Sequence, residues 1–307
     1  MFRRGLHTLA TKEVVELAYS HSGGKSAKSH TLPAIIAIHG LLGAKAHFKP
    51  LTRMLASDLD TDIYSIDLRN HGDSPMARPY DYITHTKDVI NFIRTKIGPE
   101  RPVQMIGFSL GGKISLISAL SDKVNVRSCT SIDIPPYETP ELDDILTVNY
   151  ETILKIINGE NGYQIKKGEP NWQGKVMNLL RANKCNTNEG IVRYFAAGFV
   201  MNKVNKEKKD EFLDFKQPLN EMPDLLDQVK AWPTKEELEA NSFKYQTQTP
   251  ILFCKATESP FIKRDYSLLG RQFPNYTVEE FNTSHNIAHE APEQFYKALL
   301  TFIKAHE

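Results

Sequence analysis

Short apolar runs alternate with amphipathic stretches at both ends of the chain. A continuous run such as residues 33–38 (PAIIAI) is typical of a strand buried on both faces of a parallel sheet. Strands that alternate with helices indicate a parallel sheet with right-handed crossovers. We predict strands at residues 14–19, 33–38, 63–66, 103–106, 126–132, 250–254 and 276–281, and helices between or after them at 48–59, 82–97, 113–120 and 292–305.

The alternation stops between residues 137 and 244. This stretch has helical periodicity in several places and no clear strand. We therefore expect a helical insertion over residues 137–244 that lies above the site as a lid or cap. Residues 31–136 and 245–307 would form the core, and residues 1–30 the N-terminal segment with the first strand. The helices of the insertion are predicted at 142–157, 173–182, 190–201 and 223–230.

Composition excludes several classes of protein. The 307 residues carry 38 basic and 37 acidic side chains, and no basic stripe stands out, so we expect no nucleic-acid partner. No apolar run is long enough to span a membrane. The three cysteines are far apart, which argues against a disulfide framework, and two of them, Cys129 and Cys254, fall in predicted buried strands. The ten histidines make no metal-binding spacing, so we expect no metal.

The first 12 residues differ from the rest of the chain. They contain Arg3, Arg4 and Lys12 and no acid, and their apolar residues can share one helical face. A basic, amphipathic and acid-free start resembles a mitochondrial presequence, so we predict a mitochondrial protein with a transit peptide. The alternative is a disordered tail that carries a few arginines by chance.

A serine lies in a G-x-S-x-G motif between a predicted strand and a predicted helix. Ser109 is the central residue of Gly107-Phe108-Ser109-Leu110-Gly111, which follows the apolar run at 103–106. In this context the motif is a nucleophile elbow, a turn so tight that its flanking positions must be glycine. Ser109 is therefore the predicted nucleophile.

Serine needs a base, and the base needs an acid. His285 follows the last predicted strand, where the chain order serine, acid, histidine places the base. His289 is its competitor four residues later, in the turn into the final helix. Two acids remain open: Asp133 closes the strand after the elbow, and Glu258 follows the penultimate strand.

The acyl-transfer chemistry of such a site also needs hydrogen-bond donors for the oxyanion. The N–H of Leu110, directly after the nucleophile, is one candidate, and the N–H of Leu41, in the loop after an early strand, is the other. His39 in that loop is then a loop-fixing residue. Arg69 and His71 are expected to brace neighbouring loops.

Four sequence blocks carry a resemblance to a known family. Residues 39–43 (HGLLG), 67–75 (DLRNHGDSP), 107–113 (GFSLGGK) and 133–136 (DIPP) resemble one α/β-hydrolase subgroup. It includes small bacterial esterases, a mitochondrial abhydrolase of animals and the yeast mitochondrial ethanol acetyltransferases. The resemblance implies an α/β-hydrolase fold, with helices on both faces of a mostly parallel sheet and a helical lid.

The resemblance also bears on the site. In this subgroup the acid follows the strand after the elbow, which favours Asp133 over Glu258. Two positions depart from the common pattern. Ser284 stands where many members have glycine, and Phe108 replaces the commoner histidine of the elbow, which resembles the yeast branch.

The resemblance implies an alcohol acetyltransferase that makes ethyl acetate from acetyl-CoA and ethanol through Ser109. Acetyl-CoA would be a substrate, no cofactor is expected, and short esters would be hydrolysed as a side activity together with thioesters. The alternative is a mitochondrial serine carboxylesterase or thioesterase without significant transfer. A hydrolase fold that serves only as a scaffold is a third reading, which intact Ser109, His285 and acid residues disfavour.

Overall fold

The computed structural model describes residues 9–26, 29–139, 144–186, 189–200 and 212–307. The chain forms two compact units. The larger contains Leu9–Glu141 and Asp224–Glu307, and the smaller contains Leu142–Pro223. Most of the predicted presequence, residues 1–8, lies outside the described residues.

A seven-stranded sheet forms the centre of the larger unit. The strands of the two units are β1 (Tyr19–Ser22), β2 (Ala34–Ile38), β3 (Ile63–Ile66), β4 (Val103–Phe108), β5 (Val126–Ile132), β6 (Phe199–Val200), β7 (Asp214–Phe215), β8 (Ile251–Ala256) and β9 (Tyr276–Phe281). The order across the sheet is β1-β3-β2-β4-β5-β8-β9. Only β1, at one edge, pairs antiparallel with its neighbour, so the predicted mostly parallel sheet is confirmed.

Helices cover both faces of this sheet. The helices of the two units are α1 (Lys49–Asp58), α2 (Tyr82–Phe92), α3 (Leu110–Ala119), α4 (Asp144–Asn158), α5 (Trp172–Arg181), α6 (Glu189–Ala196), α7 (Leu225–Lys230), α8 (Lys235–Ala240), α9 (Ile287–Glu290) and α10 (Pro292–Ala305), of which α4, α5 and α6 belong to the smaller unit. On one face, Ile35 and Ala37 of β2 pack in a cluster with Leu55 of α1 and Leu299 of α10. Because side chains alternate along a strand, the other residues of β2 face the opposite side, where α3 packs against β4 and β5. Within the described residues, no helix has both the length and the apolarity needed to cross a membrane.

The first predicted strand, at residues 14–19, is wrong. β1 begins only at Tyr19, and its four residues are exposed. Val15 and Leu17 are buried without being in a strand. The amide of Val15 donates to the Asp88 carboxylate at 2.8 Å. A side chain therefore replaces a strand partner for this backbone, which apolar periodicity cannot reveal.

The smaller unit contains helices α4, α5 and α6 together with a strand pair. The sequence predicted no strand here, which is wrong, because β6 and β7 pair antiparallel. Phe199 and Phe215 face each other across this pair with ring centroids 5.0 Å apart. Two-residue strands are too short for an alternating pattern to register. Helices α7 and α8, expected within the insertion, group with the larger unit; that the insertion covers the site stays a prediction.

Candidate active site

Ser109 makes the turn between a strand and a helix by itself. β4 ends at Phe108 and α3 begins at Leu110, so the predicted strand–turn–helix arrangement is confirmed. Ser109 has φ 51° and ψ −117°, a region that costs a non-glycine residue about 1–3 kcal/mol. Its N–H donates to the carbonyl of Ile132 at 3.1 Å, which helps to hold this conformation.

The glycines of the elbow are required by close packing. A Cβ atom on Gly107 would lie 2.2 Å from the carbonyl oxygen of Gly111. A Cβ atom on Gly111 would lie 2.2 Å from the carbonyl oxygen of Ile38 at the end of β2. Any larger residue would push α3 away from the sheet and shift the serine that precedes it.

A hydrogen bond joins Asp133 and His285, the predicted acid and base. The Nδ1 of His285 donates to Oδ2 of Asp133 at 2.8 Å, while Oδ1 accepts from the amide of Ala256 at 2.9 Å. The carboxylate is fully buried. An ionised carboxylate only accepts hydrogen bonds, so the proton of the neutral imidazole lies on Nδ1 and Nε2 is its accepting nitrogen.

The competing residues from the sequence lie elsewhere. Glu258 is exposed, and its amide donates to the carbonyl of Thr283 at 3.1 Å. His289 is exposed within the short helix α9. The structure therefore brings Asp133, and not Glu258, into contact with His285.

The two positions that depart from the family pattern, Phe108 and Ser284, lie beside His285 together with Phe261, which the sequence did not single out. The rings of Phe108 and Phe261 lie 4.8 Å and 4.7 Å from the imidazole, centroid to centroid. The amide of Ser284 donates to Glu290 Oε2 at 2.9 Å, and its hydroxyl donates to Oε1 of the same carboxylate. Serine thus links the histidine loop to α9 through a side chain that glycine lacks. Phe261 stands in no motif, and no sequence signal points to its role.

The predicted oxyanion donors lie on two segments that meet. Leu110 is the first residue of α3, where an amide has no carbonyl partner within the helix and lies at the positive end of the helix dipole. Leu41 lies in the loop after β2. This loop abuts the elbow, because a Cβ atom on Gly40 would lie 2.9 Å from Cδ1 of Phe108.

Two buried histidines hold the loop of Leu41. His39 donates from Nδ1 to the carbonyl of Gly40 at 2.8 Å and accepts at Nε2 from the amide of Leu68 at 3.1 Å. His71 donates to the carbonyl of Arg69 at 2.8 Å and accepts from the amide of Leu42 at 3.2 Å. Burial lowers the pKa of His39 well below its usual range and that of His71 to about 4. Both rings are neutral loop braces.

Arg69 anchors the same region through a buried ion pair. Its Nε and Nη2 donate to the two carboxylate oxygens of Asp88 at 2.6 Å and 2.8 Å, and Nη1 donates to the carbonyl of Pro79 at 2.9 Å. Burial raises the pKa of Asp88 even though Arg69 opposes that shift. The predicted bracing role of Arg69 thus matches its contacts.

A buried lysine that sequence reasoning did not single out secures α3. Lys113 donates from Nζ to the carbonyls of Lys230 and Ala231 at 3.0 Å and 2.8 Å and lies over the ring of Tyr82. Burial lowers the pKa of Lys113 to about 7. These contacts tie the helix behind Ser109 to the chain that follows α7.

Comparison with known proteins places this geometry in a family. Residues 33–292 match the model of the alpha/beta hydrolase fold family. The chain belongs to this family. It is 31% identical to ethanol acetyltransferase 1 of Kluyveromyces marxianus, over 98% of this chain and 84% of the relative. Identity to ethanol acetyltransferase 1 of Wickerhamomyces anomalus is also 31%, over 98% and 78% of the two chains.

A solved structure supports the family assignment at the level of the fold. A marine microorganism esterase superposes with a TM-score of 0.74 at 20% identity, over 94% of this chain and 99% of the esterase. The predicted α/β-hydrolase fold and the predicted resemblance to alcohol acetyltransferases are confirmed. This chain is thus an acyltransferase with the fold of the hydrolases.

Proposed function

We propose that the protein transfers the acetyl group of acetyl-CoA to ethanol through an acyl-enzyme on Ser109. The Asp133–His285 hydrogen bond of 2.8 Å carries this proposal, because it orients Nε2 of the imidazole as a base. Nε2 takes the hydroxyl proton as Ser109 Oγ attacks the thioester carbonyl. The amides of Leu41 and Leu110 would stabilise the oxyanion, and the CoA thiolate then leaves with the proton from His285.

The second step consumes the acyl-enzyme. Ethanol gives its hydroxyl proton to His285 Nε2 while its oxygen bonds to the acetyl carbonyl. The bond to Ser109 Oγ then breaks, and Oγ recovers the proton. Ethanol is the proposed acceptor because two relatives that align over 98% of this chain are ethanol acetyltransferases.

Water can take the place of ethanol in the same step. It would release acetate, so thioesterase and esterase side activities follow from one intermediate. A serine carboxylesterase or thioesterase without significant transfer would use the same three residues. The fraction of the acyl-enzyme that reacts with ethanol rather than with water therefore distinguishes the two functions. Because water is present at tens of molar, a transferase must bind the alcohol close to the acyl carbonyl, where proximity favours it over water.

The test is a product analysis with two acetyl donors. Purified protein is incubated with acetyl-CoA, or with p-nitrophenyl acetate, over a range of ethanol concentrations. Gas chromatography measures ethyl acetate, and an enzymatic assay measures acetate. We expect ethyl acetate to appear, acetate to fall in proportion, and the product ratio to be the same for both donors. Unchanged acetate and no ester at saturating ethanol would make the protein a hydrolase.

Ser109→Ala is the control for the covalent step. It should remove ester formation and thioester hydrolysis together, because both pass through the same acyl-enzyme. A fluorophosphonate probe should label the wild-type protein and not this variant. Failure of the probe to label the wild-type protein would favour a scaffold without an activated serine.

The proposed location is the mitochondrion. It is supported by the basic, acid-free start of the chain, with Arg3, Arg4 and Lys12 before the first acidic residue. A fluorescent reporter fused after residue 30 should enter mitochondria. A version with Arg3 and Arg4 changed to Glu should stay in the cytosol, and a wild-type fusion that stays there would contradict the proposal.

A further inference from the structure

The imidazole of His285 has two phenylalanine rings beside it, one from a strand of the sheet and one from a loop. Phe108 ends β4, directly before Ser109, and its ring centroid lies 4.8 Å from that of His285. Phe261 comes from the loop after β8, and its centroid lies 4.7 Å away. Only 15% of the His285 side chain is exposed. The imidazole therefore has two apolar rings beside it in addition to the Asp133 carboxylate on Nδ1.

The Phe108 ring also reaches the oxyanion loop. A Cβ atom on Gly40 would lie 2.9 Å from Cδ1 and 3.1 Å from Cε1 of Phe108, so backbone and ring are in contact. One apolar ring thus touches both the base and the loop of Leu41. An acceptor that approached an acyl carbonyl on Ser109 between these two groups would pass beside Phe108.

Phe261 is held in place by polar contacts of its neighbours. Lys255 of β8 is buried and donates from Nζ to the carbonyl of Ile262 at 2.7 Å. The hydroxyl of Tyr137 accepts from the amide of Lys263 at 3.0 Å. The loop that carries Phe261 is therefore anchored from two directions, and the ring is preorganised against the imidazole.

We propose that Phe108 and Phe261, the aromatic clamp, favour alcohol over water as the acceptor of the acyl group. This inference rests on the proposed function. The ethyl group of ethanol gains from contact with an apolar ring, whereas water beside the ring has hydrogen bonds that the ring cannot satisfy. One methylene in an apolar pocket changes selectivity by about 10- to 200-fold. His285 Nε2 takes the acceptor's proton in either case, so the clamp alters the choice of acceptor and not the chemistry.

The test exchanges one ring of the clamp for a polar ring of similar size. Phe108→His is compared with Phe302→His at a fixed ethanol concentration, and the ratio of ethyl acetate to acetate is measured. Phe302 is a matched control because its ring also lies beside an imidazole, that of His306 near the end of α10, with centroids 4.5 Å apart and the two rings tilted. We expect Phe108→His to lower the product ratio about tenfold. Phe302→His should leave the ratio at the wild-type value.

The product ratio does not depend on how much protein is folded, because both products come from one acyl-enzyme. A merely structural role of Phe108 would lower total turnover and leave the ratio unchanged, which would overturn the proposal. If Phe108→His yields no active protein, Phe261→His is measured in the same way, and an unchanged ratio there is equally decisive. A wild-type protein that makes no ester refutes the proposed function, an outcome distinct from failure of the clamp.

Discussion

The histidine of the site and the histidines of the neighbouring loop differ in what their two nitrogens contact. His285 places Nδ1 on the carboxylate of Asp133, and 15% of its side chain is exposed. His39 and His71 are buried, and each uses both nitrogens on backbone groups. An imidazole with both nitrogens occupied cannot exchange a proton without releasing a loop. The hydrogen-bond partners of the two ring nitrogens, more than the residue type, thus distinguish the proposed base from the histidines that hold the loop.

The largest effect is expected at His285, the proposed base. His285→Ala should lower kcat for CoA release from acetyl-CoA by about 10⁶-fold, because the serine then has no proton acceptor. The assay follows free thiol at saturating substrate. His289→Ala is the matched control, since His289 is exposed four residues later and should retain near wild-type kcat. The opposite pattern would assign the base to His289.

The second largest effect is expected at Asp133, the proposed partner of His285. Asp133→Asn should lower kcat by about 10⁴-fold, because an amide no longer enforces the tautomer with the proton on Nδ1. The same assay applied to Glu258→Gln should give a near wild-type rate, since Glu258 is exposed and its amide contacts another strand end. A large loss in Glu258→Gln and a small one in Asp133→Asn would move the acid to the end of β8.

Replacing a histidine that holds a loop, such as His71, should affect the stability of the protein more than its catalytic rate. His71→Ala leaves the Leu42 amide and the Arg69 carbonyl without their buried partner, at a cost of about 1–3 kcal/mol for each group. Urea denaturation should show this loss in the free energy of unfolding. His71→Gln can still accept from the Leu42 amide and should recover part of it. Equal stability of wild type and His71→Ala would remove the distinction between brace and base.

The smallest effect concerns the dependence of stability on pH. Burial lowers the pKa of His39, His71 and His85, so below about pH 6.5 the unfolded chain binds protons that the folded chain does not. The free energy of unfolding should therefore fall as pH falls below 6.5. Both ring nitrogens of His85 lack a hydrogen-bond partner within the described structure. Replacing it by Phe removes one titrating group, which should reduce the slope by at most ~1.4 kcal/mol per pH unit.

Urea titrations of His85→Phe and wild type at several pH values between 4 and 7 test this last expectation. Below pH 6.5 the two stability curves should converge or cross in favour of the variant. Parallel curves would mean that His85 does not contribute to acid sensitivity.

Local patterns were sufficient for most of the larger unit. The apolar runs of β2 and β8 and the helical period of α10 are long, so each element is visible without its neighbours. Val15 and Leu17 mimic a strand because they are apolar and buried, yet a carboxylate takes the place of a strand partner. The two-residue strands β6 and β7 are strands only because they pair with each other, although they are distant in the sequence.

The sequence by itself determined the candidate nucleophile, because the elbow imposes its glycines within five residues around Ser109. It also placed His285 after the last strand. Residue order left Asp133 and Glu258 both open, and only a resemblance favoured the first. The tertiary structure decided between them, because the His285–Asp133 hydrogen bond joins residues 152 positions apart. Such a contact, like that of Phe261 with His285, depends on how β5, β8 and β9 align in the sheet, which no local pattern encodes.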